Sequence, residues 1–239
     1  MQKLIYSILY DFSYPTLFLL SFGYFLFLYF GIAPLFLFCC RLLERKKLLH
    51  KIEHKEIKSS QIQFEIKHSL LSIVVFGFSI IPIVYLIRID LISLLPNTIF
   101  NIISGVVILT LWNEIHFYGV HRLMHSRFFM KRVHYIHHRS KTPTVYSVYS
   151  FHWLEALLLS TVPLTIAPFI PFSIIAIFIY PLTSILLNYA GHCNYRFGHG
   201  KGNSWRLFGT WHNQHHGKAR KNYGFALNFM DKLFQKHKS

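Results

Sequence analysis

Sixteen histidines stand in a chain of 239 residues, and twelve of them fall between His116 and His216. Three groups are patterned. His121 and His125 form H-x-x-x-H, His134, His137 and His138 form H-x-x-H-H, and His212, His215 and His216 repeat H-x-x-H-H. On a helix, positions i, i+3 and i+4 share a face. Each motif is therefore expected to present its imidazoles to one point in space, and three such faces brought together offer eight ring nitrogens. A single zinc takes about four ligands, so this set suits two metal ions. A lone histidine near a membrane surface is usually no ligand; the repeated spacing argues for metal.

Imidazole serves Zn, Cu, Fe and Ni. Past residue 113 the only acids are Glu114, Glu155 and Asp231. A zinc hydrolase of the H-E-x-x-H type needs a glutamate base beside its ligands, and that motif is missing. No G-x-S-x-G elbow, G-x-G-x-x-G loop or P-loop occurs either. A redox metal with open positions for O₂ is the best remaining use. Two rivals come from other classes. A non-catalytic metal-binding or transport protein would favour ionisable residues inside the spans, and the spans have almost none. A bis-histidine haem carrier would place paired histidines deep in facing helices.

The elements that must position these residues are apolar helices. The chain is 53% hydrophobic with a mean hydropathy of +0.36. Residues 13–40 carry no charge, more than the roughly 20 needed to cross a bilayer as a helix, with Pro34 a candidate kink. Residues 69–87 form a second span. A third, from about Thr98 to Tyr118, runs on into the first histidine motif. Residues 154–189 are apolar but broken by Pro163, Pro168, Pro171 and Pro181, which fits a two-helix hairpin turning near 168–171. The expectation is an all-α, multi-span integral membrane bundle of about four to five transmembrane helices with a histidine-rich cytosolic helical cap. Residues 1–111 would form the N-terminal spans with a basic loop, residues 112–234 the histidine-bearing domain, and 235–239 a basic tail.

The formal net charge is +16. The basic residues flank the spans and no nucleic-acid-binding signature occurs, so membrane is the expected partner rather than nucleic acid. Lys/Arg bias sets orientation. The basic segments 41–68, 119–153 and 190 onward all fall on one side in a consistent span count, which places the histidines in the cytosol and the N-terminus outside. Asp11 interrupts the first apolar stretch, so no cleaved signal peptide is expected. Cys39, Cys40 and Cys193 make neither a disulfide framework nor a C-x-x-C site.

HRLMH at 121–125, HYIHH at 134–138, NYAGH at 188–192, WHNQHH at 211–216, FHWLEA at 151–156 and the closing NYGFALNFMDKLF at 222–234 resemble the fatty acid hydroxylase / sterol desaturase superfamily of membrane-bound non-haem di-iron enzymes. The resemblance runs from about Trp112 to Phe234. It implies O₂-dependent hydroxylation or desaturation of a fatty acyl, sterol or related lipid, in the bacterial inner membrane or endoplasmic reticulum. Electrons would come from a separate donor, a cytochrome b5-like protein, a ferredoxin or a reductase. It implies two Fe ions on His121, His125, His134, His137, His138, His212, His215 and His216, with His192 completing the cluster and His199 an alternative in that region. Zinc competes well for such sites and can replace iron in purified protein. His116 is rotated about 140° from His121 on a helix, which favours a structural or supporting role. Glu114 and Glu155 are candidates to accept an N–H from a ligating imidazole. Asn188 fits a helix-end hydrogen-bonder better than a water-bridged ligand, and His152 remains a supporting candidate. Tyr135, Tyr146, Tyr149 and Trp153 are candidates to line substrate access or to anchor at the interface.

Overall fold

A computed structural model of the chain describes residues 2–197, 209–218 and 221–235. Residues 2–11 form a short helix, α1. Among the described residues four helices are long and apolar enough to cross a membrane: α2 (Tyr14–Arg45), α3 (Ser59–Arg88), α4 (Ile99–Met124) and, later, α7 (Ile174–His192). Between α4 and α7 lie the helical stretch α5 (127–138) and the short helix α6 (Trp153–Ser160); α8 (Thr210–Lys218) and α9 (Phe229–Gln235) follow α7.

Prolines explain where the spans depart from ideal helix. Pro34 has no N–H for the carbonyl of Phe30, and α2 widens into a π turn at Phe27–Gly31 just before it. Pro82 withholds the partner of the Phe78 carbonyl, and α3 bends at Ser79. Ser13 and Thr98 start α2 and α4 by accepting the N–H groups of Thr16 and Asn101.

The hairpin differs from its expectation in one arm. Only Trp153–Ser160 is regular helix; residues 161–170, which hold Pro163 and Pro168, descend as successive turns. The tip is where expected: β3 (Phe172–Ser173) pairs in parallel with β2 (Leu94–Leu95), in the link between α3 and α4. At the opposite end β1 (His50–Lys51) pairs antiparallel with β4 (Tyr195–Arg196) just after His192.

Two apolar cores stack along the bundle. The one nearer the histidines joins Leu28, Tyr29, Ile73 and Phe76 to Val148, Tyr149, Phe151, Ile185 and Tyr189. The other joins Ile83, Val84 and Leu109 to Val162, Ile166, Phe172 and Ile177. Tyr29 and Tyr189 stitch the first core across helices, donating to the carbonyls of Tyr146 (2.7 Å) and Leu28 (2.8 Å). Burying such hydroxyls without acceptors in an apolar medium would be costly, so these bonds fix how α2, α7 and the 140–150 loop meet.

Candidate metal centre

α4 runs unbroken past the apolar stretch, as expected, and carries His121 in its last turn with His125 as its C-cap. α5 brings His134, His137 and His138 back over that end. α7 ends on His192, and α8 packs against it with His212, His215 and His216. Nine imidazoles thus meet in one place, in two groups. His121, His125, His134, His138 and His215 form the first; His137, His192, His212 and His216 form the second; within each, the nearest ring nitrogens all lie within 4.8 Å of one another.

The groups do not follow the motifs one to one. At about 100° per residue, i and i+4 differ by about 40° while i+3 falls about 60° the other way. So 121/125, 134/138 and 212/216 each stay together, and the i+3 members His137 and His215 cross to the opposite group. The expectation that each motif serves a single point holds for its i, i+4 pair only.

Hydrogen bonding settles most tautomers. His121, His192, His215 and His216 each donate Nδ1–H to a main-chain carbonyl, of Tyr223, Asn188, Lys221 and Ser140 respectively. His134 gives Nδ1–H to Glu155 Oε1 at 2.8 Å. Their Nε2 atoms therefore carry lone pairs and no proton. Yet Nε2 of His192 faces Nε2 of His216 at 3.1 Å. Nε2 of His121, His134 and His215 converge on that of His125 at 3.2, 3.2 and 2.9 Å. His125 has at most one proton to offer there. Among the described residues His212 Nε2 is buried with no partner. Lone pairs aimed at one another in a dry site repel unless a cation lies between them, so the donor set fits two metal ions.

Burial, reinforced by the neighbouring imidazoles, holds His134, His137, His212 and His216 well below the ordinary histidine range. The same causes bring His125 down to about 2 and His138 to about 3. Burial alone takes His215 to about 4, against its bond to the Lys221 carbonyl. The rings stay neutral at pH 7, as metal ligation requires.

The other candidates divide. Glu155 is buried and supports His134. Glu114 touches no imidazole; it accepts the N–H groups of Ala226 and Leu227. It acts one step removed, because the 223–227 loop it holds supplies the carbonyls for His121 and His212 (3.3 Å). His116 meets Thr161 Oγ1 at 3.0 Å, and His152 caps α6 by accepting from the Leu154 N–H; both stand outside the two groups. Asn188 donates its amide to the Val148 carbonyl, while its own carbonyl holds His192. His199 lies outside the described residues. Tyr135 and Trp153 are exposed, whereas Tyr149 lines a cavity beneath the cluster and the Tyr146 carbonyl ties down Tyr29.

Sequence reasoning missed Asp231. It accepts the N–H groups of Tyr223 (2.9 Å) and Gly224 (2.8 Å) and so clamps the same carbonyl-bearing loop. Its signal was available: it is one of three acids past residue 113, in the stretch that closes the chain.

The fold and the site together define a helical membrane protein with a two-group histidine centre able to hold metal. A family model for fatty acid hydroxylases matches residues 106–236, and the chain belongs to that family. It is 26% identical to human lathosterol oxidase over 147 residues, covering 59% of this chain and 49% of that protein. It is 26% identical to methylsterol monooxygenase 1-1 of Arabidopsis thaliana over 223 residues, 88% of this chain and 74% of that one. A putative methylsterol monooxygenase of Dictyostelium discoideum is 29% identical over 147 residues, 59% of this chain and 51% of that one. The chain thus matches about half the length of two of these three relatives. No solved structure matches it significantly.

Proposed function

We propose that the chain is an O₂-dependent di-iron lipid oxidoreductase, a hydroxylase or desaturase acting on a C–H bond of a sterol, fatty acyl or related lipid. The observation that carries this reading is the convergence of ring nitrogens in two groups, of five and four imidazoles, with no proton on Nε2 of His121, His134, His192, His215 and His216, in a family named for hydroxylation. His121, His125, His134, His138 and His215 would hold one iron, and His137, His192, His212 and His216 the other. The names of the relatives favour a sterol. When bound, two irons supply the reduction of O₂ and the oxidising power to break a C–H bond.

The chain's own residues do the rest. Main-chain carbonyls and Glu155 fix tautomers, so that no ligand must be reoriented when metal binds. Phe117 packs on His121 and His212, and Phe151 on His137. These rings keep water from the cluster and form the roof of an apolar cavity where the substrate carbon is held. Residues 112–234 form the histidine-bearing unit, 1–111 its membrane frame and 235–239 a basic tail. The cluster faces the cytosol, where a separate donor (cytochrome b5-like, ferredoxin or reductase) delivers electrons.

Protein purified in detergent with iron supplied should hold two non-haem irons per chain. With a reductant it should convert an added sterol or acyl lipid only when O₂ is present. An iron-loaded preparation that leaves every such lipid unchanged while consuming no O₂ overturns the proposal. His137→Ala should lower the iron count and abolish turnover while the protein still inserts.

A further inference from the structure

The cavity beneath the cluster lies between α2, α3, α4, α6 and α7. Aromatic rings make much of its wall: Phe25, Phe76, Phe117, Tyr149, Phe151 and Phe225 contribute. Polar groups interrupt that wall. Tyr180 donates its hydroxyl to Asn113 Oδ1 at 2.8 Å, and Asn113 lines the cavity. Among the described residues the Asn113 NH₂ has no acceptor, and the Tyr149 hydroxyl likewise has no partner. Both are hydrogen-bond donors inside a bundle, where no bulk water is at hand to satisfy them. Asn113 is itself buried, on the face of α4 that leads to the histidines.

We infer that this cavity binds a lipid alcohol, whose oxygen is taken by the free Asn113 amide while its apolar body lies against the ring walls. Asn113 precedes His121 by eight residues of continuous helix, about 12 Å at 1.5 Å per residue. The oxygen is thus anchored about two turns from the ligands, with Phe117 one turn along between them. The anchor works as a ruler: it sets which carbon of the alcohol reaches the metals. A plain hydrocarbon chain would fill the same walls but leave the two donors unpaired, so it should bind less well. Tyr180 is a positioning residue, since its hydroxyl holds the Asn113 amide by its oxygen.

The inference rests on the oxygenase reading for the reaction but not for binding, and its test needs no turnover. Purified full-length protein is titrated with cholesterol and with 5α-cholestane, the same carbon frame without the oxygen, and in parallel with octadecan-1-ol and octadecane. Displacement of a fluorescent sterol is the readout, and metal content is measured in the same preparation. The expected result is at least tenfold tighter binding of one alcohol than of its hydrocarbon. Asn113→Leu should erase that preference while hydrocarbon affinity and metal content are unchanged. If Asn113→Leu fails to fold, Tyr180→Phe carries the test and should reduce the preference. Whether cholesterol or octadecanol shows it separates a sterol from a fatty alcohol. Equal binding of alcohol and hydrocarbon by the native chain, or a preference untouched in a folded variant, overturns the inference. Intact alcohol selectivity in an iron-loaded protein that oxidises nothing would remove the proposed activity and leave this site standing.

Discussion

Protonating any histidine of the centre that lies outside the spans puts a charge into a dry site among other imidazoles. His125 and His138 are held at about 2 and about 3, and His215 at about 4, against an ordinary value of 6.5. Above pH 6.5 both folded and unfolded chains leave these rings neutral, and they contribute nothing to pH dependence. Below it the unfolded chain takes up protons that the folded chain refuses. Stability therefore falls as pH drops from 6.5 towards the folded values, by about 1.4 kcal/mol per unit for each such histidine. Metal-free protein should show a melting temperature that declines steeply between pH 7 and pH 5.5, and metal-loaded protein a later decline; a flat profile for the metal-free form would contradict the burial of these rings in a dry site. Glu155 makes a second, more local case. Glu155→Gln keeps the shape but removes the charge that supports the His134 ring. Affinity for one of the two metals should drop about 10- to 100-fold, seen as a two-phase release to a chelator where the native chain releases both together.

At the scale of elements, the site depends on how α8 and the loop after it are fastened to α4 and α7. Gly209 starts α8 with φ of +73°, and a Cβ there would lie 2.4 Å from the Ala190 carbonyl carbon and 2.7 Å from the Gly191 nitrogen. That backbone cannot give way without moving His192. Gly209→Ala should cost more than about 1–2 kcal/mol from the conformation alone, and metal content should fall with the melting temperature. Asp231 and Glu114 hold the 223–227 loop from two sides. Asp231→Ala leaves the N–H groups of Tyr223 and Gly224 without acceptors, at about 1–3 kcal/mol for each left buried and unsatisfied, and frees the carbonyls that orient His121 and His212. Metal measured per chain should therefore fall in both groups, a result no single ligand variant should give. These dependencies explain what could be read from sequence and what could not. The motifs were legible because helical spacing carries them, but each was expected to serve a single point, and only its i, i+4 pair does so. Their division between two groups depends on the 60° offset of His137 and His215 and on how α5 and α8 are docked, which no local pattern records. Glu114 was expected to accept an N–H from a ligating imidazole; its partners instead lie over a hundred residues away, at Ala226 and Leu227, beyond the reach of any spacing argument. The short arm at 153–170 was misjudged because hydropathy sees apolar residues and is blind to how Pro163 and Pro168 break the ladder.

On the scale of the whole molecule, the two ends of the bundle differ in charge and in how the chain closes them. One end gathers the links between α2 and α3 and between α4 and α6, with Lys46, Lys47, Lys55, Lys58, Arg122, Lys131 and Arg132, and the histidine centre beside them. The other end carries the link 89–98 and the hairpin tip, which meet through Leu94–Leu95 and Phe172–Ser173. Residues 89–98 and 168–173 contain no lysine or arginine at all. Arg88, at the border, is spent internally, donating to the carbonyls of Leu9 and Phe12 at 2.6 Å each. A bilayer that retains positive charge on the cytosolic side would hold this molecule one way round, with the histidine centre on that side. The prediction is a labelling pattern. In a background with the native cysteines replaced, single cysteines at Ser93 and at Pro171 should react with an impermeant thiol reagent from one side of sealed vesicles. Single cysteines at Lys131 and Lys141 should react only from the other. If Ser93 and Pro171 label from opposite sides, the hairpin does not cross and the pairing of β2 with β3 is wrong. If all four label as paired but the basic end faces away from the cytosol, the fold stands and the electron donor must be sought in the other compartment.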